Sequence, residues 1–412
     1  MKQQEAIDVM LSGKNVFLTG EPGAGKTYTL NQFIEQAQEL GKRIAITAST
    51  GIAASHLGGT TIHSWSGLGI ADSVRDDELD RMSWKPQIQE RYNRCDILII
   101  DEVSMLHGSR LDMVDRACRW IRHNEKPFGG LQVILVGDMF QLPPVTRDSS
   151  ETDYAHTSNA WRVAELMPCY LTEQHRQGAD DKLLSILRDM RNGTISDTAK
   201  AMLQERTQEA PDDSITKLYT HNVDVDTLNN NKLAELEGEL HTYRMTSKGK
   251  DWQVDKLKKN LLCPEDLKLR VGAEVMFVAN DFEAGFVNGT RGQVISFYDG
   301  EPVVLTTDGQ RIQVEEHTWR QFNETGEYVV AEVSQIPLRL AWAVTIHKSQ
   351  GMSLDAAEID LSKAFVPGMG YVALSRVRSL DGLYLVGLGP QALQMDRDIY
   401  EFDKALKQGR SV

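Results

Sequence analysis

Short aliphatic runs alternate with helical periodicity along the first 150 residues. The runs at 15–19, 43–47, 97–100 and 133–136 predict strands, and the last two are almost wholly apolar, as in strands buried on both faces. Residues 28–40 repeat at helical spacing after the first of them. Strands alternating with helices predict a parallel sheet covered by helices. Beyond about residue 165 the alternation resumes, with strand runs at 217–219, 338–341, 356–360 and 383–387 and helical patterns at 180–191 and 370–377. Residues 240–335 interrupt this second unit with short β runs at 275–278, 292–297, 303–306 and 312–314. Asn288-Gly289, Asp299-Gly300 and Asp308-Gly309 lie between or beside them as hairpin-turn dipeptides. A small antiparallel barrel inserted into a second α/β domain is the expectation. Residues 65–94 form a polar insertion in which Asp72, Asp76, Asp77, Glu78 and Asp80 read as a solvated acidic surface.

Composition narrows the classes. With 41% hydrophobic and 25% charged residues among 412, wholesale disorder is not expected. A net charge of −14 argues against a purely electrostatic nucleic-acid binder, but leaves room for one strand held in a locally basic groove. Residues 241–260 carry Arg244, Lys248, Lys250, Lys256, Lys258 and Lys259 against Asp251 and Asp255, which reads either as a solvated face or as a surface steering a duplex or tail. No run of about 18 apolar residues occurs, and the first residues lead directly into a helical pattern, so neither a membrane span nor a signal or transit peptide is expected. Cys95, Cys118, Cys169 and Cys263 are far apart and form no CxxC pair. They predict neither disulfide nor zinc site, and a cytoplasmic, reducing setting.

The chemistry concentrates at strand ends. Gly20-Glu21-Pro22-Gly23-Ala24-Gly25-Lys26-Thr27 fits G-x-x-x-x-G-K-[ST], preceded by a strand and continued by a helix. Glycines let backbone N–H groups wrap phosphates at a helix N-terminus. Lys26 then neutralises the β/γ oxygens and Thr27 offers its hydroxyl to Mg²⁺. A buried strand ends in Asp101-Glu102, where Asp101 is the expected Mg²⁺ ligand and Glu102 the base for an attacking water. Gln141, in Gly137-Asp138-Met139-Phe140-Gln141-Leu142-Pro143-Pro144, is either a γ-phosphate sensor or a polar residue of a proline-stiffened turn. Arg176 and Arg376, in the second α/β unit, are expected as a pair stabilising charge on the transferring phosphoryl group. ATP would then draw two domains together and its hydrolysis release them, which is a motor geometry.

The ordered motifs resemble the Pif-type DNA helicases of superfamily 1B. The likeness rests on residues 13–27, Ala48-Ser49-Thr50-Gly51-Ile52-Ala53-Ala54, Gly59-Thr60-Thr61-Ile62-His63-Ser64-Trp65, Asp101-Glu102-Val103-Ser104-Met105 and residues 137–145. It extends through residues 110–115 and 126–130 to Thr345-Ile346-His347-Lys348-Ser349-Gln350-Gly351-Met352-Ser353 and residues 371–377. The family commonly has Ala at the Pro22 position and Thr at the Ala24 position. The resemblance implies two RecA-like α/β P-loop NTPase domains, 1A (1–65 and 95–165) and 2A (166–239 and 336–412). A 1B wedge insertion (66–94) and an SH3-like β-barrel 2B insertion (240–335) complete the implied architecture.

The resemblance also implies ATP- and Mg²⁺-dependent 5′-to-3′ movement on single-stranded DNA, with unwinding of duplex or structured DNA. Family roles in repair, recombination and telomere-type genome maintenance follow, with G-quadruplexes and junctions as substrates and a monomer or DNA-induced dimer as the working state. Gln3, Gly23, Ala24, Gly25, Lys26, Thr27 and Gly351 are implied on the nucleotide, with Gln4 competing with Gln3 as the adenine reader. Thr50, Gly51, His63, Trp65, Pro143, Val145, His347 and Lys348 are implied along the strand. Core packing is the competing role for His63 and Trp65, and a solvated surface for Lys348. A translocase with little unwinding, or an ATP-dependent switch or scaffold, are the alternative functions.

Overall fold

Four strands of the first sheet arise from runs rich in β-branched and aliphatic residues, β1 (Val16–Gly20), β2 (Ile44–Ala48), β4 (Ile97–Asp101) and β5 (Gln132–Val136), and the run Met-Pro-Cys-Tyr-Leu forms β6 (Met167–Leu171). With the two-residue β3 (Thr60–Thr61) they form an all-parallel sheet in the order β3-β2-β4-β5-β1-β6. Every residue of β1 is buried, as a central strand covered on both faces requires. The computed structural model describes all residues except 70–72, 146–151, 174–180, 211–214, 260, 282, 287–288, 323–327, 351, 353 and 409–412.

The described chain divides into two compact units. One comprises Met1–Glu205, Ala364–Leu380 and Gly389–Val412; the other comprises Arg206–Lys363 and Asp381–Leu388. This division differs from the expected boundary at 165. The strand β6 pairs with β1 in register Val16↔Met167 to Gly20↔Leu171, which fixes it in the first sheet. Helices α1 (Gln3–Leu11) and α2 (Lys26–Glu39) bury Ala6, Met10, Leu30 and Phe33 against Val16, Leu18, Ile97 and Ile134.

The 66–94 insertion is more ordered than its polar sequence suggests. After α3 (Gly51–His56) and α4 (Ile62–Trp65), it forms α5 (Asp76–Ser83) and α6 (Pro86–Arg94). The acidic cluster has a local cause: Asp76, Asp77 and Glu78 occupy the first turn of α5, where negative charge complements the helix dipole. Leu79, Ile88 and Tyr92 are buried beneath it. Helix α7 (Gly108–Arg122) ties the insertion down, with Trp120 Nε1 donating to Asp80 Oδ1 at 3.1 Å and Arg116 Nη1 to the Val74 carbonyl at 2.6 Å.

In the second unit a parallel sheet runs in the order Ala343–Thr345, Thr216–Tyr219, Ala357–Leu361, Leu383–Leu388. The expected strand at 338–341 does not belong to it. Leu338–Leu340 instead pairs antiparallel with Glu274–Phe277, closing a five-stranded sheet of the inserted β domain around buried Val275, Phe277, Val294 and Val304. Leu338-Arg339-Leu340 and Ala343-Val344-Thr345 are both short β-compatible segments separated by Ala341-Trp342; pairing partners decide between them. The neighbouring edge strand is held by a side chain, since Asn229 exchanges two 3.0 Å hydrogen bonds with the Ala343 backbone.

All four cysteines are buried and free. Burial pushes the thiols of Cys95, Cys169 and Cys263 up to about 11. Among the described residues no helix is long and apolar enough to cross a membrane.

Following β5 and the turn after it, α8 (Asn159–Val163) brings Trp161 into an aromatic cluster that anchors the C-terminal helix Arg397–Lys407 to β1. Phe17 meets Trp161 edge-on at 4.8 Å between centroids, and His156 lies 4.2 Å from Phe402. Burial holds His156 down at about 4, against a smaller opposing pull from Asp396. A histidine depressed in the fold contributes stability that is complete above its unfolded value near 6.5 and lost as pH falls through 4. Wild-type protein is therefore expected to lose roughly 3 kcal/mol from this group between neutral pH and pH 4. His156→Phe flattens that part of the decline, read as melting temperature against pH for the two proteins.

Candidate active site

The parallel sheet sends the chain out at the same end of each strand, and the candidate residues follow β1, β2, β4 and β5. Open α/β sheets bind ligands at this edge because successive loops and helix N-termini converge there. The loop after β1 turns through Gly23 and Gly25, with φ of 83° and 81°, a left-handed geometry that glycine adopts without strain. Gly25 is the N-cap of α2, so Lys26 and Thr27 open that helix with their N–H groups unpaired within it. A Cβ on Gly20 would lie 2.9 Å from the Leu171 carbonyl, which explains glycine where β1 leaves the sheet.

Lys26 is half-buried, and its Nζ donates to the Gly20 carbonyl at 2.8 Å and the Glu21 carbonyl at 3.2 Å. Burial lowers its pKa, while the nearby carboxylates Asp138, Glu102 and Asp101 pull it back up. Thr27 is exposed at the start of α2, and Pro22 and Ala24 are buried within the loop. The two glutamines are now distinguished. Gln3 Nε2 donates to the Ala24 carbonyl at 3.4 Å, whereas Gln4 Nε2 donates to Asp8 Oδ1 on its own exposed helix face. Gln3 is thus the glutamine placed against the loop.

Asp101 closes β4 and Glu102 follows in a left-handed conformation, φ 51° and ψ 45°. Burial, and then the Glu102 charge, push the Asp101 carboxyl up to about 7. Two crowded carboxylates short of solvent favour an added positive charge. Among the described residues no group of three His, Cys, Asp or Glu side chains converges on a point suited to a metal. The donor set is one hydroxyl and one or two carboxylates, which fits a hard cation that completes its shell with phosphate oxygens and water.

Ser49 is a residue that motif reading left without a role. Its N–H donates to the Asp101 carbonyl at 3.1 Å and its Oγ to the Glu102 carbonyl at 2.7 Å, clamping the unusual backbone turn. Only the parallel register of β2 with β4, Ala48 opposite Asp101, brings them together. A hydroxyl residue flush with the end of a neighbouring parallel strand was the available signal.

Gln141 is buried, and its N–H donates to the Asp138 carbonyl at 2.9 Å in the turn after β5. Arg376 is also buried, just after the helix Met369–Leu374 in the first unit. Its Nε donates to the Val372 carbonyl at 3.0 Å and its Nη2 to Ser375 Oγ at 2.7 Å. Arg176 and Gly351 lie outside the described residues.

The strand-facing candidates divide by burial. Thr50 Oγ1 accepts from Ala53 N at 3.3 Å and thereby starts α3, leaving Gly51 exposed with open space around its Cα. His63 is half-buried, held down at about 4 by burial and by the charges of Arg110 and His107, and so is neutral near pH 7. Trp65 is buried on Tyr92, ring centroids 4.8 Å apart, and serves packing rather than presenting an open face to a base. Pro143 is buried, while Val145 is 67% exposed and accepts from His107 Nε2 through its carbonyl at 3.2 Å in the corresponding tautomer. In the second unit, His347 and Lys348 are half-buried in a single helical turn, and Lys348 Nζ donates to Asn222 Oδ1 at 3.2 Å. Burial lowers both of their pKa values.

A glycine-wrapped lysine, a paired carboxylate and a buried glutamine at consecutive ends of one parallel sheet define a P-loop nucleotide hydrolase. Comparison with known proteins narrows the class. The PIF1-like helicase family model matches residues 2–201, and a model of the 2B domain of the DNA helicase Pif1 matches residues 254–297. An ATP-dependent DNA helicase Pif1 from Psychrobacter is 43% identical, over 96% of this chain and 69% of its own length. The crystal structure of the Candida albicans Pif1 helicase superposes with a TM-score of 0.86 at 33% identity, covering 98% of both chains. A Bacteroides Pif1 helicase in complex with ADP-AlF3 and single-stranded DNA gives 0.73 at 31% identity, over 99% of this chain and 97% of that one. The chain belongs to the PIF1-like helicase family. It spans about two thirds of the length of the vertebrate relatives it matches.

Ser49→Ala removes the bond to the Glu102 carbonyl and relaxes the turn that aims this side chain. Turnover of ATP is expected to fall by roughly 3- to 10-fold, the worth of one hydrogen bond, with the KM for ATP little changed. Steady-state ATPase kinetics check this, and Ser49→Thr is expected to restore most of the rate.

Proposed function

We propose that this chain is an ATP-dependent DNA helicase that moves 5′-to-3′ along single-stranded DNA and separates duplex or structured DNA ahead of it. The observation that carries the reading is the convergence at one sheet edge of Lys26, the Asp101-Glu102 pair and Gln141 with the loop bearing Thr50 and Gly51. Nucleotide chemistry and a strand-facing surface thereby share the same short segments. The family membership and the relative solved with ADP-AlF3 and single-stranded DNA support it.

In this reading the N–H groups opening α2 and the Lys26 ammonium take the phosphates, and Lys26 exchanges its two carbonyl partners for phosphate oxygens. Thr27 and Asp101 would hold Mg²⁺, which when bound would supply charge neutralisation on the phosphates. Glu102, aimed by its clamped backbone, orients a water and accepts its proton. Gln141 senses the terminal phosphate, and Arg176 and Arg376 stabilise the charge that develops on it. Thr50, Gly51, Val145, His347 and Lys348 line the path of the strand, with backbone contacts rather than base reading as the source of grip. Single strands and single/double-strand junctions are the substrates, G-quadruplexes included, in repair, recombination and genome maintenance. The working state is a monomer that can dimerise on DNA, in a cytoplasmic or nucleoid setting.

Lys26→Ala is expected to abolish ATP turnover while leaving much of the affinity for single-stranded DNA, measured by ATPase assay and fluorescence anisotropy. Wild-type protein with ATP is expected to unwind 5′-tailed and not 3′-tailed duplexes. A preference for 3′ tails overturns the direction, and ATP turnover indifferent to added strand overturns the motor.

A further inference from the structure

The turn that carries Gln141 is held from below by a buried cluster of charged and phenolic groups to which no part of the proposed reaction assigns a role. Asp138 is fully buried, and its carboxylate is saturated. It accepts from Arg191 Nη1 at 2.7 Å on both oxygens, from Tyr371 Oη at 3.0 Å and from Phe140 N at 3.2 Å. Arg191, 3% exposed at the end of α9 (Asp181–Arg191), donates further to Tyr371 Oη at 2.8 Å, Tyr170 Oη at 2.8 Å and Asp403 Oδ1 at 3.3 Å. Its guanidinium also lies over the Phe140 ring, 4.3 Å from the centroid.

Two of the segments that this cluster joins carry groups of the proposed reaction, the Gln141 turn and the helix leading to Arg376. Tyr371 stands five positions before Arg376, on the helix Met369–Leu374. That helix is seated against the Gln141 turn by a second, independent contact. Gly368, its N-cap with φ 81°, approaches so closely that a Cβ there would lie 2.7 Å from the Phe140 carbonyl and 3.0 Å from the Gln141 carbonyl. One turn back along α9, Arg188 reaches the phosphate loop, Nε to Glu21 Oε2 at 3.3 Å. A buried ion pair of this kind is weak evidence for stability, because desolvation offsets much of its attraction. What the planar guanidinium adds is a fixed geometry, with Nη1 spent on Asp138 and Tyr371 and Nη2 on Tyr170 and Asp403.

We infer that Arg191 and Tyr371, acting through Asp138, are positioning residues that make the Gln141 turn and the helix leading to Arg376 move as one body. Neither belongs to the phosphate loop or to the Asp101-Glu102 pair. They convert the state of the terminal phosphate, sensed at Gln141, into a displacement of Arg376. The inference deepens the proposed ATPase function and rests on it for the roles of Gln141 and Arg376.

Tyr371→Phe removes one hydroxyl and keeps the ring; Arg191→Lys keeps the charge and loses the planar guanidinium that reaches four partners at once. Both are tested as the full chain with a single-stranded oligonucleotide. The kcat for strand-stimulated ATP turnover is expected to fall roughly 10-fold in the first and 100-fold in the second, as displaced reacting groups dictate, with the KM for ATP nearly unchanged. Hydrogen–deuterium exchange with a non-hydrolysable ATP analogue supplies a reading independent of turnover. In wild-type protein, residues 138–141 and 369–376 gain protection together; in Tyr371→Phe only 138–141 do. Joint protection persisting in both variants overturns the inference, as does a loss of kcat that merely follows the folded fraction in a melting experiment. Wild-type protein that binds the analogue without strand-stimulated turnover would defeat the helicase reading instead, while the exchange pattern still decides the coupling.

Discussion

The site depends on parallel pairing of strands held in one register. Val16 to Leu18 lie opposite Ile134 to Val136 on one side of β1, and Val16 to Gly20 lie opposite Met167 to Leu171 on the other. Ala48 lies opposite Asp101. Because these strands are covered on both faces, a slip of register would misalign two layers of packed helices at once. The loops at their carboxyl ends inherit that alignment. The phosphate loop, the Ser49 clamp, the acidic pair and the Gln141 turn are neighbours because their strands end level with one another.

Placing charged groups at such an edge carries a cost that shapes the chemistry. Lys26, Asp101, Glu102 and Asp138 influence one another through surroundings short of water, and burial leads the list of forces on both Lys26 and Asp101. Loss of hydration is compensated by specific partners: two loop carbonyls for Lys26, the Glu102 N–H for Asp101 and the Arg191 guanidinium for Asp138. Groups held in this way are already oriented before a substrate arrives. A preorganised polar edge suits phosphoryl chemistry, in which the protein contributes mainly position and charge.

Much of this was legible in the sequence because it is local. A glycine-rich turn between a strand and a helix, two acidic residues ending an aliphatic run, and turn dipeptides between short β runs each state their structure within ten residues or so. What was not legible is long-range. Arg191 looks like one more basic residue in an amphipathic helix; its partner Asp138 is 53 positions away. Ser49 is an unremarked hydroxyl until β2 and β4 are paired. Leu338–Leu340 and Ala343–Thr345 are both short segments compatible with a strand, and only pairing with Val275 and Phe277 on the opposing strand decides which joins the β domain. The polarity of residues 66–94 hid two helices whose buried faces are narrow, and it hid the packing role of Trp65 against Tyr92.

The enclosure of the thiols has a practical side. Each of the four cysteines is packed inside, and for Cys95, Cys169 and Cys263 scarcely any thiolate exists near neutrality, since their pKa values sit at about 11. Maleimide chemistry acts on accessible thiolate. A cysteine introduced at an exposed position outside the proposed contacts, such as Glu39 at the end of α2, would therefore outcompete the native ones by both access and ionisation. The wild-type background is thus already suited to attaching a single fluorophore, so distances within the working motor can be followed without first stripping sulfur from its core.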